Sequence, residues 1–368
     1  MSPFDYLCIF LLFLGAVEIF NPPISKNFLC FFALLPCFIL TAFRGLDIGC
    51  DTWTYLRMFD RVALADGLGS AILHSRMEPG FVILNYVVSH LGFSFYHLQF
   101  VISFLFYISF FSFLSKYSKN IGLSLFLFLS LRYMFGPMNV TRMYLAVAFV
   151  LFSVPFLKKR HFAPFMTLVL IASLFHKTAF VFVLLYPLVR VNMRKKNISI
   201  VFIFAGIISF LGKNFFAFLT ERLGIYESYL NGKYFNFQDN VAVYLIFIID
   251  LCLALLIFFN EKGNNEVVAI ENKEVSIKRV WNWSIIFILC CDIIGLNNTI
   301  MGRISGYFSF SWLVLVPLAI MKIRNKSAAV IMYIILVACL FFQYKTVMIL
   351  RPNWNCVEPY YTYLGEMF

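Results

Sequence analysis

Apolar runs of roughly 15–20 residues recur along the whole chain and are separated by short polar stretches. A bilayer core of about 30 Å takes a helix of about 20 residues, so runs of this length predict membrane spans. They fall at about 4–20, 28–43, 94–115, 121–136, 141–157, 162–175, 178–190, 198–212, 241–259, 281–297, 304–321 and 328–343. The expected fold is an all-α polytopic membrane protein with about twelve transmembrane helices (range about 10–14), forming a single integral membrane domain over 1–368. The apolar segment Phe81–Leu91 is too short for a span and is expected to be re-entrant or interfacial, with short helices at the outer face.

Clusters of Lys and Arg punctuate every second connection: Lys116/Lys119, Lys158–Arg160, Arg190–Lys196, Lys262–Arg279 and Lys322–Lys326. Together they hold about half of the 30 Lys and Arg, and the positive-inside rule places them in the cytoplasm. The outward connections are then 44–80, 136–141, 176–177, the large outer loop 213–240, 298–303 and the tail, with both termini outside. The stretch 260–280 is the one long hydrophilic cytoplasmic loop. The N-terminus has neither a basic region nor a small-residue cleavage site, so its first apolar run is expected to be a retained span.

Composition agrees with this reading. Of 368 residues, 62% are hydrophobic and 13% charged, about half the charge of a soluble domain, and Phe alone supplies 47. A soluble enzyme, a disordered chain, a nucleic-acid binder and a β-barrel are all excluded on this basis. The net charge of +12 is accounted for by topology and by lipid or phosphate contacts. Seven of the nine Cys lie in apolar runs as small hydrophobes. Cys50 and Cys356 are in polar stretches of the oxidising side and are left open as a pair, and no Cys/His metal spacing occurs.

The outward side nevertheless holds charges that sidedness would not place there. Arg44, Asp47, Asp51 and Tyr55 follow the second span in a Gly-containing loop suited to close ligand approach, or to satisfying itself through Asp turns. Glu78 opens Pro79-Gly80-Phe81, where capping of a helix is a sufficient explanation. Arg132 and Arg142 lie against apolar segments, where a guanidinium normally faces a partner or a cavity and fits phosphate oxygens. His176 and Lys177 sit between two spans as a candidate base and a candidate anion contact. Arg303 and Tyr307 begin a later span from the same side. Tyr226, Tyr229 and Tyr234 of the outer loop suit sugar rings or an interfacial belt equally well. Several Arg with carboxylates and a His at one membrane face suit chemistry on a membrane-bound phosphate ester.

Five short motifs, in order, resemble the EpsG-like family of Wzy-type O-antigen and exopolysaccharide polymerases. They are FRGLDIGCDTWTY from Phe43, EPGF from Glu78, RMYLA from Arg142, FHKTA from Phe175 and RISGYF from Arg303. The resemblance implies a GT-C-type membrane glycosyltransferase of the bacterial inner membrane. It would take undecaprenyl-diphosphate-linked oligosaccharide as both donor and acceptor, among membrane lipids, with chain-length regulator and flippase proteins as partners and no nucleic acid. It further implies Arg142, Arg303 and Arg44 on the diphosphate, with Lys177 as an anion contact and Tyr55 and Tyr307 as sugar or phosphate contacts. Asp51 is the first choice of base, with Glu78 and His176 as rivals; no metal or cofactor is expected. A lipid-linked oligosaccharide flippase and a membrane O-acyltransferase are the alternatives.

Overall fold

The computed structural model describes residues 2–20, 22–223, 241–259, 276–296 and 301–365. Among them the structure is helical, and the one isolated β-bridge joins Arg44 to Thr362. The chain opens with α1 (Pro3–Glu18) and α2 (Lys26–Ala42), then the short α3 (Thr52–Ala63), α4 (Leu68–Leu73) and α5 (Pro79–His90). Next come α6 (Phe95–Tyr117), α7 (Ile121–Ser130), α8 (Gly136–Asn139), α9 (Thr141–Lys158) and α10 (Phe162–Phe175). After these lie α11 (Leu185–Leu188), α12 (Lys195–Leu223), α13 (Val241–Phe259), α14 (Ile277–Gly295), α15 (Met301–Ser305), α16 (Trp312–Met321) and α17 (Lys326–Leu350).

Four helices, α6, α9, α13 and α17, are by themselves long and apolar enough to cross a bilayer. The bent pair Ile121–Ser130 and Tyr133–Asn139 makes a fifth, and shorter apolar helices include α2, α10 and α16. This is a multi-pass helical membrane protein.

Three expected spans are broken where the sequence reading drew straight helices. The 121–136 segment bends by 70° after Ser130, where Arg132 takes a left-handed backbone (φ 65°) ahead of Gly136-Pro137. The 178–190 segment is a tight 3₁₀ stretch, Lys177–Leu184, running into α11. The 304–321 segment divides into α15, a turn at Ser309–Ser311 and α16. The 213–240 loop begins as helix, because α12 continues to Leu223; the rest of it, with Tyr226, Tyr229 and Tyr234, lies outside the described residues. Most of the 260–280 loop lies outside them too.

Packing is dense around α7, every residue of which is buried. Gly15 of α1 and Gly122 of α7 meet backbone to backbone, and a Cβ on either would strike the other helix. The connections sort into two ends. At one, Asn120 Nδ2 donates to the Gly15 carbonyl (2.8 Å), Glu18 accepts the Gly122 N–H (2.6 Å) and Lys326 Nζ donates to the Ile19 carbonyl (2.6 Å). At the other, Asp5 pairs with Lys345, and Phe4 packs edge-on against Phe135 and Tyr360. The loop after α2 meets the C-terminal tail at this second end. Helix α5, about 18 Å long at 1.5 Å per residue, is too short to cross and packs among α3, α4, α6 and α10.

Candidate functional site

The loop after α2 is pinned from two sides. The Gly49 N–H donates to the Cys356 carbonyl (2.8 Å), and the Cys50 N–H donates to Asn139 Oδ1 (2.7 Å). Cys50 and Cys356 are joined in a disulfide with Cα atoms 5.3 Å apart. Gly49 has φ +94° and its backbone lies against the Met138 carbonyl, so a side chain there would be strained and would collide. Thr52 Oγ1 donates back to the Ile48 carbonyl (2.6 Å), fixing the turn that starts α3.

Asp51 occupies the N-cap position of α3 but makes no side-chain cap bond. Its half-buried carboxyl lies in the field of Arg303 and Arg142. Burial raises its pKa above the ordinary value, and the two guanidiniums oppose that rise, Arg303 the more strongly. One turn further on, buried Tyr55 contributes a ring that stands 5.9 Å from the Arg142 guanidinium.

Glu78 does not cap its own helix. Instead one carboxylate oxygen takes Arg142 Nη1 in an ion pair, and the other accepts the Lys177 N–H at 3.3 Å. The capping account of Glu78 is thus replaced by a tertiary role that joins α5, α9 and the α10 connection. Arg142 sits in the first turn of α9, where the chain restarts after the 70° bend, and Phe81 flanks it at 6.0 Å. Its Nε is buried without a hydrogen-bond partner.

His176 ends α10 in an extended conformation and is buried. Its Nδ1 shares a hydrogen bond with Thr178 Oγ1 (2.7 Å), which in turn meets the Tyr307 hydroxyl at 3.1 Å. Burial pushes the imidazole pKa down to about 4; Glu78 opposes this, while Arg142 and Arg303 add to it. His176 is therefore neutral near pH 7. The Lys177 side chain is exposed, so its contribution here is the backbone N–H.

Arg303, half-buried on α15, lines a cavity of about 320 Å³. Arg44 stands apart from that cavity. It is almost fully buried, donates from Nη1 to the Thr41 carbonyl (2.6 Å) and lies among Tyr360, Tyr107 and Tyr55. Its backbone pairs with Thr362, so its visible work is to seat the tail.

The structure thus brings Asp51, Tyr55, Glu78, Arg142, His176, Arg303 and Tyr307 to one end. Asp250 of α13, Asp292 of α14, Asn139 and Gln343, which also line the cavity, were missed in the sequence reading. The two acids had a signal available: each is the one carboxylate of its helix and is set among apolar neighbours.

The class defined by this arrangement is a multi-pass membrane protein with an aromatic-lined site of Arg and carboxylate side chains at one end of its helices. The model of the EpsG family matches residues 27–362, nearly the whole chain, and the chain belongs to that Wzy-type polymerase-like family. No curated protein and no solved structure matches.

Proposed function

We propose that the protein is a GT-C-type polysaccharide polymerase of the bacterial inner membrane, with about twelve crossings and its site at the outer face. It would transfer a growing glycan from undecaprenyl diphosphate to the sugar of another lipid-linked repeat unit, yielding O-antigen or exopolysaccharide. The observation that carries this reading is Arg142, anchored by Glu78 beside the Tyr55 and Phe81 rings, with Arg303 acting on the same Asp51 carboxyl. A fixed guanidinium in an apolar setting suits a diphosphate, because it meets the charge that develops as the leaving group departs.

In this mechanism an acceptor hydroxyl attacks the anomeric carbon of the donor. The bond from that carbon to the diphosphate oxygen breaks, and its electron pair stays on the diphosphate, held by Arg142 and Arg303. Asp51 takes the hydroxyl proton: its carboxyl caps nothing and its raised pKa suits a base. Glu78 has both oxygens engaged and positions Arg142. Neutral His176, tied through Thr178 to Tyr307, holds the wall without adding a charge that would compete for the diphosphate.

The test is the surface glycan ladder of cells lacking the gene and complemented with wild type or Arg142→Ala. Long chains should be lost while the single repeat unit persists, and only wild type should restore them. Loss of the single unit as well would overturn the reading in favour of a flippase, and an intact ladder with altered antigenicity would favour acylation.

A further inference from the structure

The cavity that Arg303 borders runs inward to a pair of acids that the mechanism does not use. Asp250, buried on α13, and Asp292 on α14 both line it, with their side chains adjacent. Around them the cavity is lined by Arg132, Gln343, Trp354 and Asn139. Gln343 is 1% exposed and its Oε1 has no hydrogen-bond partner; Asp292 Oδ2 and Arg132 Nε are likewise buried and unpartnered. Arg132 reaches this place from a left-handed backbone and lies 5.6 Å from the Trp354 ring. A buried amide oxygen without a partner is costly to keep, and three such atoms around one cavity mark hydrogen bonds that a ligand would complete.

The mixture of groups identifies the chemistry. The two acids offer acceptors, the amides offer donors and acceptors, and Trp354 offers an aromatic face. The two acids and the two Arg on its wall offset one another, which favours neither a strong anion nor a metal cation. A neutral polyhydroxyl ring satisfies the set. The volume, about 320 Å³, is at the small end of ligand sites (~300–1,000 Å³) and suits the end of a sugar chain better than a ring continued on both sides.

Resting on the polymerase reading, we propose that this cavity is the subsite for the terminal sugar of the acceptor repeat unit, with Asp250, Asp292, Gln343 and Trp354 as its specificity-determining residues. The ring then lies beside Arg303, so that one hydroxyl faces the donor diphosphate while the others bond the acid pair and Gln343.

The test uses the full chain, purified in lipid nanodiscs. The probe is the repeat-unit oligosaccharide released from its lipid by mild acid, so that it carries neither lipid nor phosphate. Binding is followed by tryptophan fluorescence, and polymerisation by acceptor KM and kcat. Gln343→Leu and Asp292→Asn should each weaken oligosaccharide binding and raise acceptor KM about tenfold or more, with donor KM unchanged. Trp354→Ala, at the partly exposed rim, should do the same and guards against a core variant that fails to fold. Arg142→Ala should lower kcat about 10²–10³-fold yet bind the oligosaccharide as wild type does. If wild type polymerises and all three cavity variants keep wild-type acceptor KM and binding, the subsite is refuted and the polymerase stands. If wild type binds the oligosaccharide, loses it in the variants, and yet never polymerises lipid-linked units, the cavity stands as a sugar site and the polymerase reading falls.

Discussion

Replacing Glu78 with Gln separates a residue that positions Arg142 from one that takes part in proton transfer. The side chains of Arg142 and Glu78 are 22% and 9% exposed, so the pair is mostly removed from water. Breaking a fully buried pair from one side costs about 3–5 kcal/mol, because the remaining charge is left uncompensated. Partial access of water to Arg142 reduces this, and a loss of about 1–3 kcal/mol in stability is expected for Glu78→Gln. Gln retains an oxygen for the Lys177 N–H at 3.3 Å, so the backbone contact is spared. In turnover, Arg142→Ala should lose the transition-state interaction, about 10²–10³-fold in kcat. Glu78→Gln leaves the guanidinium present but less fixed and should lose about tenfold. The double variant should be no slower than Arg142→Ala alone, since the two residues act as one unit. Polymerisation by purified protein in nanodiscs, scored alongside thermal unfolding, measures both quantities. If the double variant falls by the product of the single losses, Glu78 has a role independent of Arg142. If Glu78→Gln alone loses about 10²–10⁴-fold with unchanged stability, it is the base and the assignment of Asp51 is wrong.

His176 is neutral in the fold with its pKa near 4, against about 6.5 in the unfolded chain. As pH falls from 6.5 to 4 the unfolded chain gains a proton that the native one does not, so stability should decline across that window, by up to about 3 kcal/mol. His176→Gln should remove this slope from melting curves measured against pH, and an unchanged slope would refute the assignment. Reduction of Cys50–Cys356, or Cys356→Ser, should loosen the tail and cost about 2–4 kcal/mol of stability. Mild reductant should then lower the melting temperature of wild type but not of the variant. Gly49→Ala places a Cβ against the Met138 carbonyl at a left-handed φ and should displace Asp51, lowering kcat more than donor binding. Paired Arg can do the work of a divalent ion at a diphosphate, so chelator should leave turnover of the pure protein intact; its loss would refute that assignment.

The five motifs were legible because each sets a charge against apolar neighbours, and topology alone gives no reason for it. The role of Glu78 was not: beside Pro79 a carboxylate reads as an ordinary helix start, and its partner Arg142 is 64 residues away. Arg44 was grouped with the diphosphate for its charge, whereas the structure seats it under the tail, through contacts with Thr41 and Thr362 that no local pattern announces. Asp250 and Asp292 were averaged away, because one acid hardly lowers the hydropathy of a 19-residue apolar helix. Gln343 and Trp354 needed the tail folded back over the outer connections, a contact between opposite ends of the chain. The helix breaks were only half visible. Gly136-Pro137 marks one in sequence, but the left-handed turn at Arg132 depends on what that side chain reaches.

The charges within the site impose an order on its substrates. Arg142 is neutralised by Glu78 on one side, so an incoming diphosphate must approach from the side shared with Asp51 and Arg303. On the polymerase reading the diphosphate would bind between the two guanidiniums, outside the small cavity that Asp250 and Asp292 line. On the same reading a neutral sugar would pass Arg303 into that cavity. Two lipid-linked substrates with the same diphosphate would, on this reading, be told apart by what each presents to Arg303: the donor its phosphate, the acceptor the far end of its glycan. The subsite would give the buried carboxylates, costly in a membrane helix, a role that packing does not supply.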